Sequence, residues 1–219
     1  MVISQDLQNI DKYANIRSMN HQKKTQISTI PTPSVQEVER YLNQWDEREN
    51  YVLQENALNK LFFDTYPQNT SIDEILVKAS TLNDFYSTNI FSIFPVAKHI
   101  HSLQIDQRLR SGDDTLVGDI AHLEIGGKPR VLYSFATKYC SHHNPNDFPI
   151  YDIYVERVLC YFRDKDHFSE FKAGDLKDYP KFRAILLEFR RFYHLDMYNL
   201  KDIDRYVWQL GKEYFPRKY

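Results

Sequence analysis

The chain has 219 residues, with 28 Lys and Arg against 30 Asp and Glu, a formal net charge of −2, and 42% apolar residues. This is globular composition, and it excludes both a disordered chain and a polycation that holds nucleic acid by bulk charge alone. Two cysteines exclude a disulfide framework, a four-cysteine zinc site and a four-cysteine iron–sulfur cluster, and only six glycines disfavour phosphate-cradling loops and turn-dense all-β folds.

The opening Met1–Lys12 lacks the apolar stretch of a signal peptide, and no later apolar run approaches membrane-spanning length. A soluble, cytoplasmic protein with no membrane association is expected. Residues 1–33 are polar and end in Pro31-Thr32-Pro33, so they read as a loosely held tail with at most a short helix around Leu7–Ile16. Order is expected from Ser34. Ser34 and Glu37 have capping-box spacing, and Val35, Val38, Tyr41, Leu42 and Trp45 follow at helical intervals. A second helix carries Val52, Leu53, Leu58, Leu61 and Phe62 and stops before Pro67. Ser71 and Glu74 repeat the start signal ahead of Ile72, Ile75, Leu76, Ala79, Leu82 and Tyr86.

Ile90–Leu109 reads as one helix ended by Ser111-Gly112-Asp113, and Asp114–Leu123 as a short one before the turn Ile125-Gly126-Gly127-Lys128-Pro129. From Arg130 the pattern is helical again, through Val131, Phe135 and Tyr139. Asn144–Pro149 breaks it, and a further helix is expected from about Ile150 to Phe162. The last two helices carry Phe182, Ile185, Leu186 and Phe189, then Ile203, Val207, Leu210 and Tyr214. No convincing strand and no internal repeat are seen. The expected fold is all-α or nearly so, a compact bundle of roughly eight to ten helices. It would form a single helical domain over 34–219, divisible into lobes at about 34–112 and 113–219. Residues 128–219 hold 17 basic and 13 acidic residues, a net of +4, while residues 1–127 hold 11 and 17, a net of −6. The second half could therefore offer a locally basic face to a polyanion.

The chemistry is expected in Tyr133–His143 and the following Asn144–Asp152. Here a helix ends, a proline-bearing loop turns the chain, and Asp152 stands near the start of the next helix. A carboxylate at that place caps free N–H groups, and the same geometry can hold an ionised acid at the mouth of a cleft between helices. The order helix, proline loop, then Pro149-Ile150-Tyr151-Asp152 entering a helix resembles the helix-hairpin-helix superfamily of base-excision DNA glycosylases, the 8-oxoguanine glycosylase fold. The likeness covers roughly residues 114–165 and rests on a short motif. It implies Asp152 as the family's catalytic carboxylate and Lys138 as its amine, acting on a base flipped out of DNA. It departs from the family at the hairpin, where the only glycine turn is Ile125-Gly126-Gly127-Lys128. It departs also at Lys138, which lies about one helical turn further along than the family's lysine. Under the resemblance, Gly126, Gly127, Lys128 and Arg130 would contact the DNA backbone. Tyr133, Tyr139, His142, Phe148, Tyr151 and Tyr154 would hold the substrate, the aromatics by stacking. Helical spacing places most aromatics in the core instead.

Other signals are weaker. Cys140, His142 and His143 lack a fourth ligand at a standard spacing, and His99 and His101 cannot share a helix face. No metal and no cofactor are expected. Asp202 and Asp204 sit near a helix start, where the dipole favours them, and Trp208 reads as a core anchor. Asn83, Tyr86 and Thr88 end a helix and could line a pocket. Two functions remain: a glycosylase-like DNA enzyme, and a non-catalytic helical module that binds nucleic acid or a protein partner.

Overall fold

The computed structural model describes residues 30–216. The polar tail expected over 1–33, with its short helix, falls almost wholly outside the described residues. From Pro33 the chain is one unit. Among the described residues it is a multi-helix fold with a single small hairpin of strand.

Helix α1 (Val35–Asp46) starts where the capping box predicts, with the Glu37 N–H donating to the Ser34 hydroxyl. Helix α2 (Glu49–Asn59) runs into a π-helical turn over Lys60–Thr65 that ends ahead of Pro67. Helix α3 (Ile72–Phe85) buries Ile75, Ala79 and Leu82 and packs on α4 (Ile93–Ser102). Ser71 begins α3 as expected, but its hydroxyl turns to Asp73 instead of capping the helix.

Several expected boundaries move. Ile90–Leu109 is not one helix: α4 stops at Ser102, Gln104 takes a left-handed backbone (φ 47°), and α5 (Asp106–Ser111) starts afresh. After α6 (Leu116–Ala121) the chain forms strands β1 (His122–Ile125) and β2 (Lys128–Val131), paired antiparallel, with Leu123 opposite Arg130. Gly126 and Gly127, at φ 60° and 73°, form the two-residue turn of this hairpin, a conformation that other residues take at a cost. The glycines therefore join two strands rather than two helices. Four-residue strands, one containing Pro129, are too short for an alternating pattern to show. Helix α7 (Tyr133–His143) consequently begins three residues after Arg130.

Helix α7 is the centre of the molecule: Phe135 through His142 are all buried. Helix α8 (Ile153–Asp166) starts at its Asp152 cap, later than the expected Ile150. A 3-10 turn (Ala173–Lys177) leads to α9 (Tyr179–Phe192), and α10 (Leu200–Tyr214) closes the fold against both α8 and α1. Many of the aromatics are spent here. Phe162, Phe168, Phe189 and Tyr193 meet largely edge to face with centroids 4.8–6.4 Å apart.

Helices α8 and α10 touch closely at Gly211, where an added Cβ would lie 2.7 Å from the Tyr154 carbonyl oxygen. Tyr154 is two residues past Asp152, so this contact also fixes how the start of α8 is presented. Gly211→Ala should gain about 1 kcal/mol of helix propensity. It should lose more to overpacking, typically about 1–3 kcal/mol, because the clash is with backbone. Urea denaturation should therefore show a lower midpoint for the variant; an unchanged or higher one contradicts the close approach.

Candidate active site

A cleft of about 370 Å³ opens between α1, α2, the end of α3, α7, the start of α8 and α10. Lys138, Asp152 and Tyr154 line it together with Trp45, Tyr51, Glu55, Tyr86, Lys201, Asp204, Arg205, Trp208 and Lys212.

Lys138 is only 3% exposed. Its ammonium donates to the Ser134 hydroxyl (2.6 Å) and to the Ser134 carbonyl (3.3 Å), one turn back on α7. It lies 5.2 Å from the centre of the Tyr86 ring and 4.0 Å from Asp152 Oδ2. Burial drives its pKa below the ordinary lysine range, against the pull of Asp152 and Asp204. Asp152 is the N-cap of α8, accepting from the Tyr154 N–H at 3.0 Å. The two readings of Asp152 are thus compatible: one oxygen caps the helix while the other faces the lysine.

The loop that brings these groups together is tied down along its length. Asn144 donates to the Leu109 carbonyl and to Asp147, and Arg183 donates to the Asp147 carbonyl. Tyr179 donates to the Pro149 carbonyl, and the Tyr151 N–H donates to Thr137 Oγ1. The Ser134 hydroxyl, which accepts the lysine hydrogen bond, donates in turn to the Tyr151 carbonyl (3.3 Å). Ser134, Thr137 and Lys138 on one stretch of α7 thereby set the approach to Asp152.

The opposite wall comes from far away in the sequence. Trp45, Tyr51 and Trp208 form an aromatic cluster with centroids 5.2–5.9 Å apart. Glu55 accepts from Arg205 (2.5 Å) and the Trp45 indole (3.1 Å) and forms an ion pair with Lys201 at 3.8 Å. Burial pushes its carboxyl up, but those partners outweigh it and hold the pKa below the usual range. Lys212 donates to the Tyr51 hydroxyl at 2.7 Å and sits 4.5 Å over Trp208.

The expected substrate residues divide. Tyr154 lines the cleft. His142 stands behind it, buried and kept neutral by desolvation, with its Nε2 hydrogen-bonded to the Tyr86 hydroxyl at 2.9 Å. Tyr139 and Phe148 are fully buried core, Tyr139 donating to Asn69 and Phe148 stacking with Tyr179. Tyr133 donates to the Leu176 carbonyl, and Tyr151 turns its hydroxyl to Glu156. Neither reaches the cleft, and neither do Gly126, Gly127, Lys128 or Arg130, all on the hairpin. Sequence reasoning missed the wall on α10. Lys201, Asp204, Arg205, Trp208 and Lys212 recur at steps of three and four, a polar stripe running beside the apolar one of Ile203, Val207 and Leu210. Among the described residues no group of three His, Cys, Asp or Glu is placed to hold a metal ion, and no helix is long and apolar enough to cross a membrane.

Asp204 is the anomalous member. It is almost fully buried, and desolvation raises its pKa to about 6 despite Lys201, Lys138 and the Ile150 N–H. In the folded state it therefore holds a proton that the unfolded chain has already lost between about pH 4 and 6. Its contribution to stability falls as pH rises through that window and is flat above it. Asp204→Asn removes the ionisation cost and should stabilise the protein at pH 7–8 by roughly 1–3 kcal/mol. The gain should vanish below about pH 4. Denaturation curves at pH 4 and pH 7.5 check this; a destabilised variant at pH 7.5 contradicts it.

Residues 37–147 match the HI_0787_N family, described as an N-terminal domain. The matched stretch includes Lys138 and ends five residues before Asp152. The chain is also 54% identical over 149 residues to a Haemophilus influenzae protein described as "Uncharacterized protein", an alignment covering 68% of this chain and 71% of that one. No solved structure matches. The chain belongs to the HI_0787_N family.

Proposed function

We propose that the protein is a glycosylase-like enzyme that cleaves the N-glycosidic bond of a damaged nucleotide turned out of DNA, with Lys138 and Asp152 as its reacting groups. The observation that carries this reading is the pair itself: a buried amine 4.0 Å from a carboxylate, in an aromatic-walled cleft. A lysine attacks carbon only as the neutral amine, and burial supplies that form at lower pH than in water. Asp152 stabilises positive charge developing on the sugar or activates a water against it.

The rest of the cleft suits such a substrate. An extruded base needs flat apolar surfaces on which to stack, and Trp45, Tyr51, Tyr86 and Trp208 offer them. Lys201, Arg205 and Lys212 place positive charge beside the reacting pair for a phosphate backbone. Glu55 neutralises part of that charge, so binding draws on stacking as well as on phosphate contacts. The chemistry is attack of the Lys138 lone pair on the sugar carbon, departure of the base with the bonding electrons, and opening of the sugar ring to a Schiff base.

Borohydride reduction in the presence of duplexes bearing abasic sites or damaged bases should trap a covalent adduct with the wild-type protein. Lys138→Ala should abolish it, and Asp152→Asn should slow its formation by about 10²–10³-fold with the fold intact. The exposed Val77, Phe91 and Phe94 side chains favour a second reading, a helical module that docks a protein partner. No adduct and no base release across a lesion panel would select it.

A further inference from the structure

We infer that Asp204 is the proton carrier of this site, taking a proton from Lys138 before attack and returning it to the departing base. The inference rests on the glycosylase reading and adds to it a residue that the resemblance does not supply. The cluster on the cleft wall carries the argument. Three groups from three elements share that wall: Lys138 from α7, Asp152 at the start of α8, and Asp204 from α10. Two of them already have fixed duties. Lys138 is anchored to Ser134, and Asp152 is committed to the Tyr154 N–H and the lysine.

Asp204 has no such commitment. Asn199, not Asp204, caps α10, so the helix does not require a carboxylate here. Lys201 is paired with Glu55 and Lys138 with Asp152, which leaves Asp204 held by the Ile150 N–H while it lines the cleft. A nearly buried acid that shares its cations, Lys201 and Lys138, with two other carboxylates is costly to keep, and such groups concentrate where a proton must move. Ordinary carboxylates are too acidic to retain a proton near neutrality, whereas this one exchanges it at about pH 6. The groups facing it are Lys201 on its own helix, Lys138, Asp152, Tyr86 and Tyr179, and both tyrosines stay protonated through neutral pH.

The step balances. One Nζ–H bond of the Lys138 ammonium breaks, and the proton passes through water in the cleft to the ionised Asp204. The freed lone pair forms the nitrogen–carbon bond as the glycosidic carbon–nitrogen bond breaks, and that bonding pair leaves on the base. The base takes the proton from the Asp204 carboxyl, which is then ionised again. No oxidant or further reactant is needed.

The test is borohydride trapping on an abasic-site duplex and base release from a lesion-bearing duplex, followed from pH 5 to pH 9 for the wild type, Asp204→Asn and Asp204→Glu, each checked for folding by circular dichroism. Wild-type rates should rise with pH through about 6. Asp204→Asn should lose that limb and fall by about 10²-fold or more, and Asp204→Glu should restore part of the rate with the limb shifted. A merely structural role would lower the rate at all pH values and leave the limb in place. A folded Asp204→Asn protein with the wild-type rate and profile overturns the inference while the glycosylase reading stands. Absence of adduct and base release in the wild type overturns both. A carbon-13 titration of the Asp204 carboxyl reads the same group without any substrate: an inflection near pH 6 supports the inference, and one near pH 4 overturns it.

Discussion

The site depends on keeping one ammonium group almost out of water. An isolated buried charge is expensive, so Lys138 persists only because several partners compensate it at once. Ser134 accepts two hydrogen bonds one turn away, the Tyr86 ring lies beneath, and Asp152 stands at the edge of ion-pair distance. Each partner is itself held elsewhere. Tyr86 is turned by His142, Asp152 is locked as a helix cap, and Ser134 is tied to the Tyr151 carbonyl.

The large share of aromatics has two origins that the fold keeps apart. One set fills the interior around Phe162 and Phe189, where edge-to-face contact and apolar burial stabilise the bundle. The other set, Trp45, Tyr51 and Trp208, packs together at the cleft, with Arg205 and Lys212 against its faces. Rings paired with cations and with each other are held in place by those contacts. The aromatic wall of the cleft is thereby pre-organised.

Most helices were legible in the sequence because their faces repeat every three or four residues and their starts carry capping residues, as at Ser34. The hairpin was not, since strands of four residues with Pro129 inside them leave no period to read. Lys138 and Asp152 could be singled out from a short local pattern, and the loop between them bends back far enough to bring them within 4.0 Å. The other half of the cleft was hidden for a different reason. Trp45, Glu55, Arg205 and Trp208 meet only after α1, α2 and α10 have packed, and no local rule links residues about 150 positions apart. Trp208 read as a core anchor because a large aromatic at helical spacing looks the same on a cleft wall as in a core. Tyr139 and Phe148 show the converse, aromatics near the motif that belong to the interior.

Lys138 is a desolvated ammonium facing Asp152, and that state can be measured without knowing any substrate. Nitrogen-15 or carbon-13 NMR titration of the Lys138 side chain, in the wild type and in Asp152→Asn, reads it directly. The lysine should titrate below the value of about 10.4 for an unburied lysine, and lower still when the carboxylate is neutralised. A lysine that titrates at the unburied value, or that does not respond to the loss of the Asp152 charge, would contradict it.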